Sequence, residues 1–470
     1  MLQSDDDDNF AKLRHILSFK PSTKTFLKVL QLFKVWEESD SRVLGLQYAK
    51  NHLESWSESA LVVDSFSHFW PSFPKEKPLC SSFFIRSLAL IDKELGDEGI
   101  AALSSSPSLS NLTHLSIICD RLGPKGAIAL AQSPHLTKLQ SLDFSFNDIG
   151  IGVEGVLALV KAQHMRHLRS LSLHGNGIGQ QGTEAIVNAP TLAKLSQLNL
   201  EANFIGQEGA EIIAKAGQVK NLEALYLGYN NLGARGLQFL FHSKILQNLR
   251  VLELSDNGLG PLSIESIKVP EAFRNLQELI IDRNRITRVG IQAICESLPL
   301  EQLKKLSVSQ CGLGDESLVT LVNSPRMRNL ESLNFSHNAL YDNGVNALAN
   351  SSKMTNLIKL QLQGNNIRKN GICALTKSPY LHRLKYLDLR DNPIGPEGAV
   401  ALANSPQMRS LETLLLESRF VMSDGIKAIV DSPYLSRKIR CSFQEKLDEQ
   451  LKQERSRSIT HDQNLDSIPF

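Results

Sequence analysis

One pattern recurs along this chain and leaves little freedom for the rest. Leucines spaced as Leu-x-x-Leu-x-Leu-x-x-Asn lead to a final position filled in turn by Lys93, Asp120, Asn147, Asn176, Asn203, Asn230, Asn257, Asn284, Cys311, Asn338, Asn365, Asn392 and Arg419. Successive positions lie 27 residues apart, except for the 29 that separate Asn147 from Asn176. Thirteen units in one register describe a stacked array, because a single unit of this size cannot bury its own apolar face.

The stretch LDLRDNPIGPEGAVALANSP, Leu387 to Pro406, shows how one unit is built. Leu387 and Leu389 alternate as the inward side chains of a short strand. Asn392 falls where the chain turns, and a buried amide there can bond the free backbone groups of the turn. Gly395 permits the turn, Pro396 suits a first helical position, and Ala399, Leu402 and Ala403 follow at helical spacing. Ser405-Pro406 ends the helix, as do Ser106-Pro107, Ser133-Pro134, Ser324-Pro325, Ser378-Pro379 and Ser432-Pro433.

These residues resemble the leucine-rich repeat family, in the strand-plus-helix type found in ribonuclease inhibitor, over residues 81–435. The resemblance implies an α/β solenoid shaped as a horseshoe, with a parallel sheet on the concave side and helices on the convex side. Packing agrees, since strands stack at ~4.8 Å while helices need ~10 Å. Lys93 and Arg419 in the Asn position mark terminal repeats.

Gly150, Gly152 and Gly155 follow a strand and open a helix, the order of a dinucleotide-binding fingerprint. Other units carry glycines three and six residues after the Asn position, as at Gly179 and Gly182 or Gly206 and Gly209. Two residues are inserted in the third repeat, so Gly150 and Gly155 are expected to be the ordinary pair and Gly152 part of the insertion. The next strand ends Ser172-Leu173-His174-Gly175, without the acidic residue a ribose requires. No nucleotide, and no other cofactor, is expected.

The ends differ from the middle. All three tryptophans, Trp36, Trp56 and Trp70, fall within residues 1–80, where FAKLRHILSFKP, TKTFLKVLQLFKVWEES and SRVLGLQYAKNHLESW each show helical spacing. A Pro-rich connection, Trp70 to Pro78, leads into the array. These helices read either as a cap or as a docking domain. Ile16, Leu17, Phe19 and Pro21, followed by Leu30, Leu32, Phe33, Lys34 and Trp36, resemble an F-box, although that family's initial Leu-Pro is absent. That resemblance implies docking to a small adaptor of a cullin-type ubiquitin ligase. At the other end, within residues 436–470, KIRCSF is expected to be a degenerate fourteenth strand, with Cys441 and Phe443 in the leucine positions. The charged EKLDEQLKQERSRS after it reads as a solvated helix, and the final residues as a flexible tail of the kind that can carry a bacterial secretion signal into a host cell.

The net charge of +2 gives no global field for nucleic acid or an anionic membrane. MLQSDDDDNF lacks the order of a secretory signal, and no run approaches the ~18 to 20 apolar residues of a membrane span. Six scattered cysteines without a Cys-x-x-Cys pair suggest neither zinc nor disulfides, and a reduced, cytoplasmic setting.

Function is therefore expected on the sheet face, between the core leucines. The register places Phe146, His174, Glu201, Tyr226, Tyr229, Glu253, Asp256, Glu278, Asp282 and Arg283 there, then Lys305, His337, Tyr386, Arg390 and Asp391. Tyrosines among carboxylates suit a protein partner with a basic surface, and disfavour nucleic acid. Cys295 and Cys373 sit on repeat helices, and His174, His337 and Asp391 are several repeats apart, so no enzyme is expected. The expected function is a protein-interaction scaffold. The alternatives are a ubiquitin-ligase substrate receptor, an effector acting in a host, and a GTPase activator using Arg283 and Arg285.

Overall fold

A computed structural model describes residues 2–37, 39–57, 60–63, 85–147, 150–265 and 273–448. They fall into two compact units, Met1–Asn230 and Asn231–Phe470. The Pro-rich connection, Cys80 and the C-terminal tail lie outside the described residues.

The first unit opens with three helices: α1 (Leu2–Leu17), α2 (Thr23–Val35) and α3 (Asp40–Leu53). Ser22 and Ser39 cap α2 and α3, their hydroxyls accepting from the amides of Thr25 and Arg42. Phe26, Val29, Phe33 and Trp36 form the buried centre, with Trp36 stacked on Phe33 at 5.4 Å. The Trp36 indole donates to Asp6 at 2.9 Å, and Ser39 donates to the same carboxylate. That pairing explains why α1 takes in the acidic stretch and starts well before Phe10, where the apolar spacing begins.

Parallel strands follow in sequence order. In the first unit they are β1 (Val62–Val63), β2 (Ser87–Ile91), β3 (His114–Ile118), β4 (Ser141–Asp143), β5 (Ser170–Ser172), β6 (Gln197–Asn199) and β7 (Ala224–Tyr226). In the second they are β8 (Val251–Glu253), β9 (Glu278–Ile280), β10 (Lys305–Ser307), β11 (Ser332–Asn334), β12 (Lys359–Gln361), β13 (Tyr386–Asp388) and β14 (Thr413–Leu415). Register puts like on like: Leu142 pairs with Leu171, Leu171 with Leu198 and Leu198 with Leu225, each buried. A helix such as Gly179–Val187 or Gly395–Ala403 returns the chain between strands. β1 pairs with β2 although it lies within the segment read as purely helical. Two residues are too few to show a periodicity.

Within each unit the Asn positions form a hydrogen-bonded ladder. The Asn230 side-chain oxygen accepts from the amides of Asn203 (2.9 Å) and Ile205 (3.3 Å) in the preceding repeat. Its Nδ2 donates to the carbonyls of Leu200, Leu227 and Gly228 at 2.8 to 3.0 Å. Asn147, Asn338 and Asn365 repeat the arrangement. Cys311 keeps the donor half, its thiol reaching the Ile281 and Ser309 carbonyls. Asp120 keeps the acceptor half, taking the Lys93 amide, while its other oxygen is buried without a partner.

A second ladder was not anticipated. The serines of several Ser-Pro pairs do more than precede a helix breaker. Ser133, Ser378, Ser405 and Ser432 are buried, and their hydroxyls donate to the carbonyls of Ser104, Ala349, Thr376 and Ala403, each 29 residues earlier. Each hydroxyl thus satisfies a helix-end carbonyl of the previous unit.

Two expectations are corrected. In the third repeat the helix opens at Gly152, as the next opens at Gly179, and the Ile151 amide bonds Asn176 as the Ile178 amide bonds Asn203. A Cβ on Gly155 would meet Ile151 at 2.9 Å, as one on Gly182 would meet Ile178 at 2.7 Å. Gly152 and Gly155 are therefore the ordinary pair, and Gly150 belongs to the insertion. At φ +68 it bulges against the Asn176 carbonyl, where a Cβ would come within 2.5 Å. In the second correction, residues 437–448 are helical and include all of KIRCSF. Ile439, Phe443 and Leu447 are buried four apart while Cys441 is exposed, so the apolar period is that of a helix.

Replacing Asn230 with Ala leaves buried amides and carbonyls without partners, and should cost about 3 kcal/mol in chemical unfolding. Asp120→Asn should do the opposite. Burial, the largest influence, raises the Asp120 pKa above 3.8 against the amide bonds that lower it. The charged form is therefore a burden in the folded state that is absent below that ordinary value and grows as pH rises through the raised one. Asp120→Asn should stabilise by about 1 to 2 kcal/mol at neutral pH, with the gain vanishing under acid.

Candidate functional site

The strands end sooner than the leucine pattern suggests, and the residue before each Asn position is left-handed in every repeat from Asp92 to Asp391. In the first unit these include, after Asp92 and Cys119, the four residues Phe146, Gly175, Ala202 and Tyr229 at φ of 56, 69, 53 and 58. The bend turns the Asn side chain inward, and it costs roughly 1 kcal/mol at each non-glycine position. Hydrogen bonding continues beyond the strands: the amides of Phe146, Gly175 and Ala202 donate to the carbonyls of His174, Glu201 and Gly228.

These four residues form a row along the strand exits. Phe146 and Tyr229 are 50% and 42% exposed, and between them stand Gly175 and Ala202. At ~4.8 Å per strand the two rings flank a floor about 14 Å long. Phe146 leans on His174, ring centres 4.1 Å apart. His174 Nδ1 lies 3.6 Å from the Glu201 carboxylate, which also accepts from Asn199 at 2.9 Å. Phe204, just after an Asn position, is 76% exposed beside this row and carried no signal in the leucine register. Tyr226 is half-buried in β7.

The second unit spends its carboxylates on the scaffold. Glu253, expected on the surface, is buried, and its side chain accepts the Ser255 amide at 2.8 Å. Asp143, Asn199, Asn334 and Asp388 each bond the amide two residues on in the same way. Asp282 accepts from the Ser307 hydroxyl (2.6 Å) and the Ser309 amide (2.7 Å), and burial raises its pKa. Glu278 pairs with Lys305 at 2.6 Å. Asp256 and Arg283 occupy left-handed positions, with Arg283 and Arg285 exposed. His337 is left-handed too, and its ring lies against Gly364. Lys359 sits over the Tyr386 ring, while Arg390 is held by Asp388 at 2.6 Å. Asp391 is bonded by Gln363 and by Arg419, and those bonds lower its pKa to about 2. Most of these carboxylates therefore already hold backbone amides, serines or cations.

At the N-terminus, Leu17, Phe33 and Trp36 belong to the helical core rather than to a docking surface. Ile16 is half-buried, and Phe19 and Pro21 are exposed. Exposed apolar side chains not singled out in the sequence are Val35, Val43 and Leu44, each more than 60% exposed at 71%, 64% and 66%.

The buried cysteines are poor nucleophiles. Burial pushes the Cys295 thiol up to about 11 and the Cys311 thiol to about 12. Among the described residues no group of three or more His, Cys, Asp or Glu could hold a metal, and no helix is long and apolar enough to cross a membrane.

With this geometry in hand, comparison with known proteins decides the family. The profile described as Leucine Rich repeat matches seven segments: 135–160, 164–187, 220–241, 246–268, 274–295, 326–349 and 380–403. The chain is built of leucine-rich repeats. Among solved structures it is similar to a chain of the yeast Rad7–Elc1 complex, at 16% identity over 94% of both chains with a TM-score of 0.50. An internalin, InlF, from Listeria monocytogenes aligns at 20% identity over 71% of this chain and 87% of that one, with a TM-score of 0.41. The ectodomain of the plant receptor kinase GASSHO1/SCHENGEN3 from Arabidopsis thaliana aligns at 18% identity over 76% and 43%, with a TM-score of 0.32. No curated protein sequence matches. The likeness to the yeast complex extends to the fold, and the repeats carry an α/β solenoid with helices ahead of it.

Alkylation tests the cysteine assignments. Iodoacetamide at about pH 8 should label exposed Cys119 and Cys441 while Cys295 and Cys311 stay unmodified until the protein unfolds, as peptide mass spectrometry would show.

Proposed function

We propose that this leucine-rich-repeat chain is a non-enzymatic scaffold that holds a partner protein on the strand-exit row of its first unit. The observation that carries the reading is the pair of exposed rings, Phe146 and Tyr229, standing either side of Gly175 and Ala202. Rigid aromatic side chains offer contact area at low entropic cost, and the small residues between them leave room for an inserted side chain. The suited partner presents an apolar knob rather than a basic surface, with His174 and Glu201 giving hydrogen bonds at its rim.

A second reading assigns residues 2–53 to docking, as in a substrate receptor of a cullin ubiquitin ligase. Exposed Val35, Val43 and Leu44 support a contact surface there. A chain of the yeast Rad7–Elc1 complex is an example of this fold class in a complex. Trp36 is a poor probe of that idea, because its loss would unfold the helices.

Phe146→Ala combined with Tyr229→Ala should weaken binding of the captured partner by about 2 kcal/mol or more, with thermal unfolding nearly unchanged. Unaltered affinity would remove the row from consideration. Val43→Asp with Leu44→Asp should abolish copurification of a cullin complex from lysate if the helices dock, and leave partner capture by the row intact.

A further inference from the structure

The opposite edge of the first unit, where the chain enters its strands, is chemically unlike the aromatic row. Two clefts of about 280 Å³ each lie there and share Lys138. Together they are lined by five cations, Lys50, Arg86, Lys138, Arg169 and Lys194, against one carboxylate, Glu54. For a chain with a formal net charge of only +2, that is a strong local concentration. None of the five forms an ion pair with a carboxylate among the described residues.

Lys50 comes from the end of α3; the placement of the others follows from the repeat. Arg86, Thr113, Gln140 and Arg169 hold the same position before successive strands, joined by a backbone stair. The amides of Thr113, Gln140 and Arg169 each donate to the carbonyl of the residue one step earlier, at 2.7 to 2.8 Å. Lys138 Nζ donates to the Asn111 side chain at 2.7 Å, and Arg86 reaches the Asn111 carbonyl at 3.5 Å, so these two cations converge on one residue. Lys138, Arg169 and Lys194 are exposed. From Arg86 to Arg169 is three strand steps, ~14 Å, which about four residues of extended peptide would span at ~3.3 Å each.

We propose that this strand-entry cleft binds an extended acidic peptide of a partner protein, its carboxylates or phosphates meeting the cations in turn. Cations strung across successive repeats fit a ligand whose charges are themselves spaced along a chain. Thr137 and Gln140 add uncharged polar groups between them. The linings contain no Phe, Tyr or Trp ring on which a base could stack, His167 being the one ring present, and Glu54 would repel a continuous phosphate backbone. The cleft uses strand-entry residues and the end of α3 but none of the aromatic row, so it neither needs nor excludes that row.

Fluorescence anisotropy on the full chain tests the assignment, with a fluorescein-labelled Glu-Ser repeat decapeptide as probe and its phosphoserine-Gly counterpart in parallel. Binding should weaken as salt rises from about 50 to about 300 mM. Arg169→Glu with Lys194→Glu should reduce affinity about tenfold or more, whereas Lys377→Glu with Lys427→Glu, an equal change of net charge in the second unit, should leave it nearly unchanged. Tighter binding of the phosphoserine peptide would identify phosphate as the preferred anion at the same site. Thermal unfolding of both variants should match that of the unaltered chain. Three results would overturn the proposal: no binding of either peptide at low salt, equal loss in both variants, or binding of a ten-nucleotide oligothymidylate at least as tight and equally sensitive to Arg169→Glu with Lys194→Glu.

Discussion

Every repeat has to turn a corner after its strand, and the backbone groups at that corner are buried. The amide side chain at the Asn position resolves this, because a single group offers both an acceptor to two amides of the preceding unit and donors to carbonyls on either side. The 27-residue interval is the distance at which this link can be made again. Substitutions in the ladder are informative because they keep half of the function: Cys311 donates and Asp120 accepts.

The ladder has a conformational cost, and that cost sets where function can sit. Bringing the amide inward forces the residue before it into the left-handed region, bulky side chains included. Phe146 and Tyr229 are held there, with their rings displayed beside the sheet rather than on it. The same corner consumes charge. A carboxylate or amide at the end of a strand bonds the amide two residues later, so Glu253 and Asp388 are structural although the alternation pattern places them outward.

One unit therefore presents two chemically distinct edges. Strand exits carry aromatics separated by small residues, and strand entries carry cations with few countercharges. Both come from non-leucine positions of the repeat, which the ladder and the core leave free to vary. An array of this kind can recognise its partners through residues that contribute little to its own stability.

The interval, the strand-turn-helix order and the buried leucines could all be read from the sequence, because each is a periodicity and a period survives without coordinates. The N-terminal helices were legible for the same reason, though not their start, since Asp6 joins α1 through a bond to Trp36 thirty residues away. The candidate site was legible only in part. Register identified Phe146, His174, Glu201 and Tyr229, but it could not tell a displayed carboxylate from one that caps an amide, and it passed over Phe204 and the cations at the strand entries. It placed the insertion at Gly152 rather than Gly150, because counting from the Asn position cannot show which amide reaches Asn176. Sequence alone determined what repeats; tertiary structure decided which polar groups remain for a partner, because that depends on the bonds each side chain makes to the repeats beside it.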